Sequence, residues 1–225
     1  MKKMDAIITI KPLKINTMNV RIIGDSPLIM HKWSEKAKKE MLDAMTNKEI
    51  KTKGKARPAK DPVAEFIDSM YWMEHEPIEK TEEGFDEAIK AGAKFGFPAT
   101  AIKQATISAA YRSGKTKDMA SLRGAFFIDG VGSEMLVEVK GVVPVIREDM
   151  VRVGMGKPDL RYRGQFDVGW YMDMTIRYDS EGIYTLEQII NLLNLGGFAC
   201  GIGEWRPEKD GQFGMFHVQP DAYGM

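Results

Sequence analysis

Residues 193–218, LNLGGFACGIGEWRPEKDGQFGMFHV, restrict the folds open to this chain more than any other stretch. An apolar helix runs into four glycines, Gly196, Gly197, Gly201 and Gly203. Trp205 and Arg206 follow, then a turn at Asp210 and Gly211, then a closing strand. Phosphate loops ordinarily lie after a strand and before a helix. Here the order is reversed, which removes the usual nucleotide-binding explanation. No G-x-G-x-x-G is complete, because Arg206 stands at the third glycine position. Ser113-Gly114-Lys115-Thr116 has Ala109 where a P-loop needs its first glycine, and a helix precedes it.

Composition narrows the class. The chain has 225 residues, 44% hydrophobic and 28% charged, as in an ordinary globular protein with a real core. The length fits one domain with insertions, spanning residues 1–225, or two small ones. No apolar run approaches ~18 residues, and the N-terminus lacks the apolar stretch of a signal peptide. No membrane association is expected. The single cysteine, Cys200, excludes an internal disulfide and fits a reducing cytoplasm. With three scattered histidines, no metal site and no cofactor are expected. Net charge is zero but segregated: residues 48–60 hold six Lys/Arg and one Glu, and residues 74–87 hold seven acids and one Lys. Such segregation makes a basic surface on a neutral protein.

Residues 6–24 alternate β-branched apolar residues and read as a strand broken at Pro12. Ser34 caps a helix over residues 35–45. Residues 47–60 form a basic loop, and Asp61-Pro62 starts a helix whose face carries Val63, Phe66, Ile67, Met70 and Tyr71. The acidic run reads as a loop. Residues 95–100 lead into a helix, capped at Thr100 or a neighbour, that ends near Arg112. A turn at 129–132 precedes strands at 135–139 and 142–146. Residues 147–164 read as irregular and basic, and residues 168–178 as a long strand. Thr185 and Gln188 make a capping box for a helix over 186–195, with Gly196 as its C′ residue. Residues 213–218 form the last strand. The skeleton is βαββαβ, an α+β, ferredoxin-like (RRM-like) order with an antiparallel sheet and two large insertions, 34–94 and 143–168.

Cations interleaved with rings, as in Arg161-Tyr162-Arg163 and Trp205-Arg206, suit phosphates and unpaired bases. His31, after the first strand, suits general acid or base chemistry on RNA. Three stretches then resemble one family in order and spacing. They are Ile22-Ile23-Gly24-Asp25-Ser26-Pro27-Leu28, then Gly96-Phe97-Pro98-Ala99-Thr100 through Arg112, then Leu195-Gly196-Gly197 through Gly203-Glu204-Trp205. Together they resemble the RAMP superfamily of CRISPR-associated RNA-binding proteins, closest to its backbone-forming, thumb-bearing subunit. Gln104 and Cys200 depart from the family pattern.

The resemblance implies a non-enzymatic protein that coats single-stranded RNA or DNA and self-associates head to tail, in a CRISPR effector with other subunits or alone in a virus or mobile element. The glycine loop is then expected to lie against the sheet with its amides near phosphate, and residues 143–168 to project as a thumb. Expected contacts are Lys103 and Arg112 on the first core helix; Arg152, Lys157, Arg161, Tyr162 and Arg163 on the thumb; Lys51, Lys53, Lys55, Arg57 and Lys60 on the other insertion; and Gly201, Gly203 and Arg206 along the path. Two alternatives stay open. One is a metal-independent endoribonuclease using His31, with Lys32 or Arg206 stabilising developing charge. The other is a purely structural assembly protein.

Overall fold

The computed structural model describes residues 12–33, 35–46, 59–116, 118–153 and 157–220. Along the chain lie β1 (Ile15–Gly24), β2 (Leu28–Met30), α1 (Glu35–Thr46), α2 (Pro62–Asp68), β3 (Tyr71–Glu74) and α3 (Glu82–Lys90). They are followed by β4 (Lys94–Pro98), α4 (Ala99–Arg112), α5 (Met119–Ala125), β5 (Phe126–Ile128) and β6 (Leu136–Val139). Then come β7 (Val145–Val153), β8 (Lys157–Phe166), β9 (Tyr171–Asp179), α6 (Leu186–Ala199), a 3-10 turn (Pro207–Lys209) and β10 (Phe216–Val218). The strands form three antiparallel sheets, in the orders β10-β1-β9-β5, β2-β8-β7 and β3-β4-β6. The fold is therefore α+β with antiparallel sheets.

Period-2 alternation gives the four-stranded sheet one buried face. Val20 and Ile22 of β1 and Met172, Met174 and Ile176 of β9 are buried. They join Ile102, Ala105 and Ala109 of α4 and Ile189, Leu192 and Leu193 of α6 in a common core. The alternate positions pair polar groups: Arg21 with Asp173 at 2.6 Å, Arg177 with Asp129 at 2.6 Å, and Thr175 with Asn19 at 2.9 Å.

Several expectations hold. Asp61 accepts from the amides of Val63 and Ala64 and caps α2. Thr185 and Gln188 form the capping box of α6. Others need correction. The strand expected over 6–24 begins at Ile15, with residues 12–14 as coil; residues 6–11 and Ser34 lie outside the described ones. Helix α2 stops at Asp68, so Tyr71 starts β3 instead of continuing the helical face. The acidic run ends in α3, because Thr81 caps it and Glu82 and Glu83 complement its N-terminal dipole. Pro98, not Thr100, precedes α4, with no side-chain cap. Residues 147–164 are not irregular: β7 and β8 pair continuously from Val145↔Gln165 to Val153↔Lys157. The strand expected at 142–146 is the start of this hairpin, which lies within the expected insertion. In the four-stranded sheet β9 pairs with β1 and β5, whereas the expected strand at 135–139 is β6, in the sheet with β3 and β4.

The largest correction concerns Gly196. It does not end the helix, which runs on through Gly197 to Ala199. A Cβ at Gly196 would lie 2.9 Å from the Thr106 backbone of α4, and one at Gly197 would lie 1.9 Å from the Phe216 carbonyl oxygen of β10. These glycines sit mid-helix so that α4 and β10 can approach the helix backbone. The left-handed residue after the helix is Gly201, whose amide donates to the Gly196 carbonyl at 2.9 Å.

Gly197→Ala is expected to lower unfolding stability by about 2–3 kcal/mol through overpacking. Gly124→Ala, in α5 with no atom within 4 Å of the added Cβ, is expected to be neutral or to stabilise by up to about 1 kcal/mol. Urea denaturation of the two variants checks the contrast.

Candidate nucleic-acid interface

The end of β2, helix α4 and the loop after α6 meet at a cleft of about 270 Å³. Its walls include His31, Tyr71, Phe97, Gln104, Glu204 and Arg206. The loop is held down by its own backbone: the Ile202 amide donates to Gly214 and the Glu204 amide to Ile29. Gly201 and Gly203 have φ of 64° and 79°. A Cβ on Gly203 would come 2.5 Å from the Ile29 carbonyl oxygen. Glycine here lets the loop lie on β2, and the amides of Ile202 and Glu204 point into the protein, away from any external phosphate.

Charge is organised around shared carboxylates. Glu208 accepts from Arg206 Nε at 3.1 Å and Nη2 at 2.9 Å, and from Arg112 Nη2 at 3.1 Å. Arg206 Nη1 also donates to the Gly203 carbonyl at 3.1 Å. One carboxylate thus holds two guanidiniums and leaves a net positive charge, and the Arg112 side chain is 57% exposed. Below the cleft, Arg147 and Arg163 stand directly opposite each other on β7 and β8. Both bond Asp149, at 2.9 Å and 3.1 Å. Facing cross-strand cations repel unless a counter-charge lies between them, and Asp149 supplies it.

His31 Nδ1 lies 3.3 Å from Glu204 Oε1. That hydrogen bond, the positive charge of Arg163 and that of Arg206 hold the Glu204 carboxyl below the usual glutamate range, against a desolvation that pushes it up. Burial raises the Tyr71 hydroxyl, with Glu134 and Glu204 adding to it. The Cys200 thiol is buried and pushed up by burial, so it is a packing group.

The expected contact residues divide. Arg112, Arg206, Gly201, Gly203 and His31 come together at or beside the cleft. Lys103 turns toward α5 and β5: its ammonium donates to the Arg123 carbonyl at 2.6 Å and lies 4.0 Å from the Phe127 ring centre. Burial pulls its pKa down. Arg163 is 5% exposed and faces inward, so it is no surface clamp, and its Nε has no partner among the described residues. Arg161 pairs with Asp159 at 3.3 Å, and Tyr162 hydrogen-bonds Glu148, its cross-strand partner. Arg152 is exposed near the hairpin tip. Lys157 begins β8, and its side chain is outside the description. Lys60 binds Asp159 at 2.8 Å and donates to the Leu160 carbonyl, which brings that end of the basic run onto the hairpin. Lys51, Lys53, Lys55 and Arg57 lie outside the described residues. Lys32 pairs with Glu134 at 3.1 Å.

Sequence reasoning missed Glu204 and Glu208, which flank Trp205-Arg206-Pro207. The signal available was a carboxylate on each side of the loop arginine. Among the described residues no group of three or more His, Cys, Asp or Glu could hold a metal ion, and no helix is long and apolar enough to cross a membrane.

No protein-family profile and no curated protein sequence matches the chain. Nineteen chains of solved structures match it, two Cmr structures among them. One is a Type III-B Cmr-beta bound to cognate target RNA, at 11% identity and TM-score 0.44; the alignment covers 92% of this chain but only 59% of that one. The other is Cmr6 from Pyrococcus furiosus, at 11% identity and TM-score 0.35, covering 92% of this chain and 100% of that one.

The lowered Glu204 pKa has a stability consequence. An unfolded glutamate takes up its proton near about pH 4.3, the folded one only at lower pH. Its contribution is therefore present at neutral pH and lost as pH falls through the lowered value. Urea denaturation of wild type and Glu204→Gln at about pH 7 and about pH 3 should show the stability gap between them narrowing in acid. A constant gap would count against the ionised carboxylate.

Proposed function

We propose that the protein binds single-stranded nucleic acid through its phosphate backbone, along the mouth of the cleft and out over the β7–β8 hairpin. The observation that carries this reading is the Arg112–Glu208–Arg206 cluster, in which one carboxylate serves two arginines beside an open cleft. Arg112 is exposed enough to take a phosphate oxygen without giving up its protein contact, since a guanidinium has five donors. Arg152, Arg161 and Lys157 extend the path along the hairpin. Lys60 meets the same hairpin, and Lys51, Lys53, Lys55 and Arg57, which precede it in sequence, are expected to add to the path. Lys103 lies beside the path on α4.

On this reading β10-β1-β9-β5, with α4 and α6, is a ferredoxin-like core, and the chain is one RAMP-like domain with two insertions. Copies assemble head to tail along the strand, through a heterologous contact that does not close, alone or with other effector subunits. A second reading is favoured by the His31–Glu204 pair at the cleft: a metal-independent endoribonuclease in which His31 moves the proton.

Anisotropy titration of a labelled oligouridine over a range of salt tests the first reading. Arg112→Ala and Arg206→Ala should each weaken binding and flatten the log–log salt slope by about 0.7 per lost phosphate contact. Unchanged slopes would remove these residues from the path. His31→Ala separates the second reading: loss of strand cleavage with retained binding identifies an enzyme, whereas a wild type that cleaves nothing leaves only the binder.

A further inference from the structure

The cleft has a chemistry that phosphate contact does not use. Tyr71 and Phe97 form an aromatic corner, with ring centres 6.1 Å apart and planes at 73°. Opposite stands Glu204, 40% exposed, with Oε1 on His31 and Oε2 without a partner among the described residues. Gln104 uses one amide proton on Ser108 at 3.1 Å, and its carbonyl oxygen has no partner among the described residues. The His31 hydrogen bond, with positive charge from the buried Arg163, keeps Glu204 an acceptor.

We infer that the cleft is a single-base pocket that takes one unstacked guanine of a bound strand. The inference rests on the strand-binding reading for how the base is delivered. The selectivity follows from donor and acceptor counts. Bases splayed from single strands are read on their edges while their faces meet aromatic side chains. An ionised carboxylate accepts only. Guanine offers two neighbouring donors, N1–H and the N2 amine, which match the two oxygens of Glu204. Uracil offers one donor flanked by two carbonyl oxygens, which the carboxylate repels. The Gln104 amide has both a donor and an acceptor to meet the remaining guanine edge. Arg112 and Arg206 at the cleft mouth meet the phosphate of the same nucleotide, so the base and its backbone share one entrance.

Two measurements on the full chain test this. Anisotropy compares a labelled oligouridine with the same strand carrying one central guanosine, and calorimetry compares guanosine and uridine monophosphates. One well-placed carboxylate–base pair should favour the guanosine strand by about tenfold, and guanosine monophosphate should bind more tightly than uridine monophosphate. Glu204→Gln, which keeps the size of the side chain, should abolish both differences. Gln104→Ala, further from the loop, should reduce them even if Glu204→Gln perturbs folding. Equal affinity for the two strands and the two nucleotides overturns the pocket, whatever happens to oligouridine. If oligouridine fails to bind while guanosine monophosphate still binds and depends on Glu204, the strand reading falls and the pocket stands.

Discussion

The approach of α6 to α4 and β10 at Gly196 and Gly197 is the contact on which the rest depends. Two glycines in a helix cost roughly 1 kcal/mol each relative to alanine. They are tolerated because no other residue lets the Thr106 backbone and the Phe216 carbonyl come so close. This contact fixes where α6 ends. The end of α6 fixes Gly201, and the loop from Gly201 to Arg206 then reaches β2 through the Glu204–Ile29 hydrogen bond. The cleft is what remains between three elements whose separation the glycines set.

Around the cleft, charge is arranged as arginines in excess over the carboxylates that hold them. Glu208 orients Arg112 and Arg206; Asp149 orients Arg147 and Arg163. The first pair is near solvent, and the second is largely enclosed, with side chains of Asp149 and Arg163 only 10% and 6% exposed. Neutral net charge over the whole sequence conceals this, because the acids of residues 74–87 are elsewhere in the chain. An ion pair at the surface and one inside serve different ends here. The outer one orients Arg112 and Arg206 at the cleft mouth, and the inner one shapes the field at Glu204.

Sequence alone disclosed the elements with strong local signals: the alternation of β1 and β9, the Asp61-Pro62 start, and the Thr185–Gln188 capping box. It did not disclose the hairpin, because charged residues that pair within a strand (Arg147–Asp149, Arg161–Asp159) and across the two strands (Arg163–Asp149) leave no apolar alternation to read. Strand β5, with three residues, is too short to carry a period, and its place is fixed by pairing with β9. Helix α6 was read one turn short because glycine is a reasonable helix stop, and only the tertiary neighbours show why it is not one here. His31, Arg112 and Arg206, picked from the sequence, do lie at or beside the cleft. Glu204 and Glu208 were not legible, since their only local mark among 32 acids is that they flank Arg206.

The register of the central sheet also bears on how the chain reaches this state. Strand β1 pairs with β9 from Ile15↔Asp179 to Ile23↔Tyr171, and its other edge receives β10 at Ile22↔Val218. The middle of the sheet is thus closed by segments separated by most of the chain. Contacts of such long sequence separation form late and slowly, after the loop-closure entropy has been met. During synthesis, β1 must wait unpaired until β9 has emerged, while the β7–β8 hairpin can form locally beforehand. Folding is therefore expected to be paced by the central strand, and the exposed edge of β1 is the species most open to mispairing in the interval.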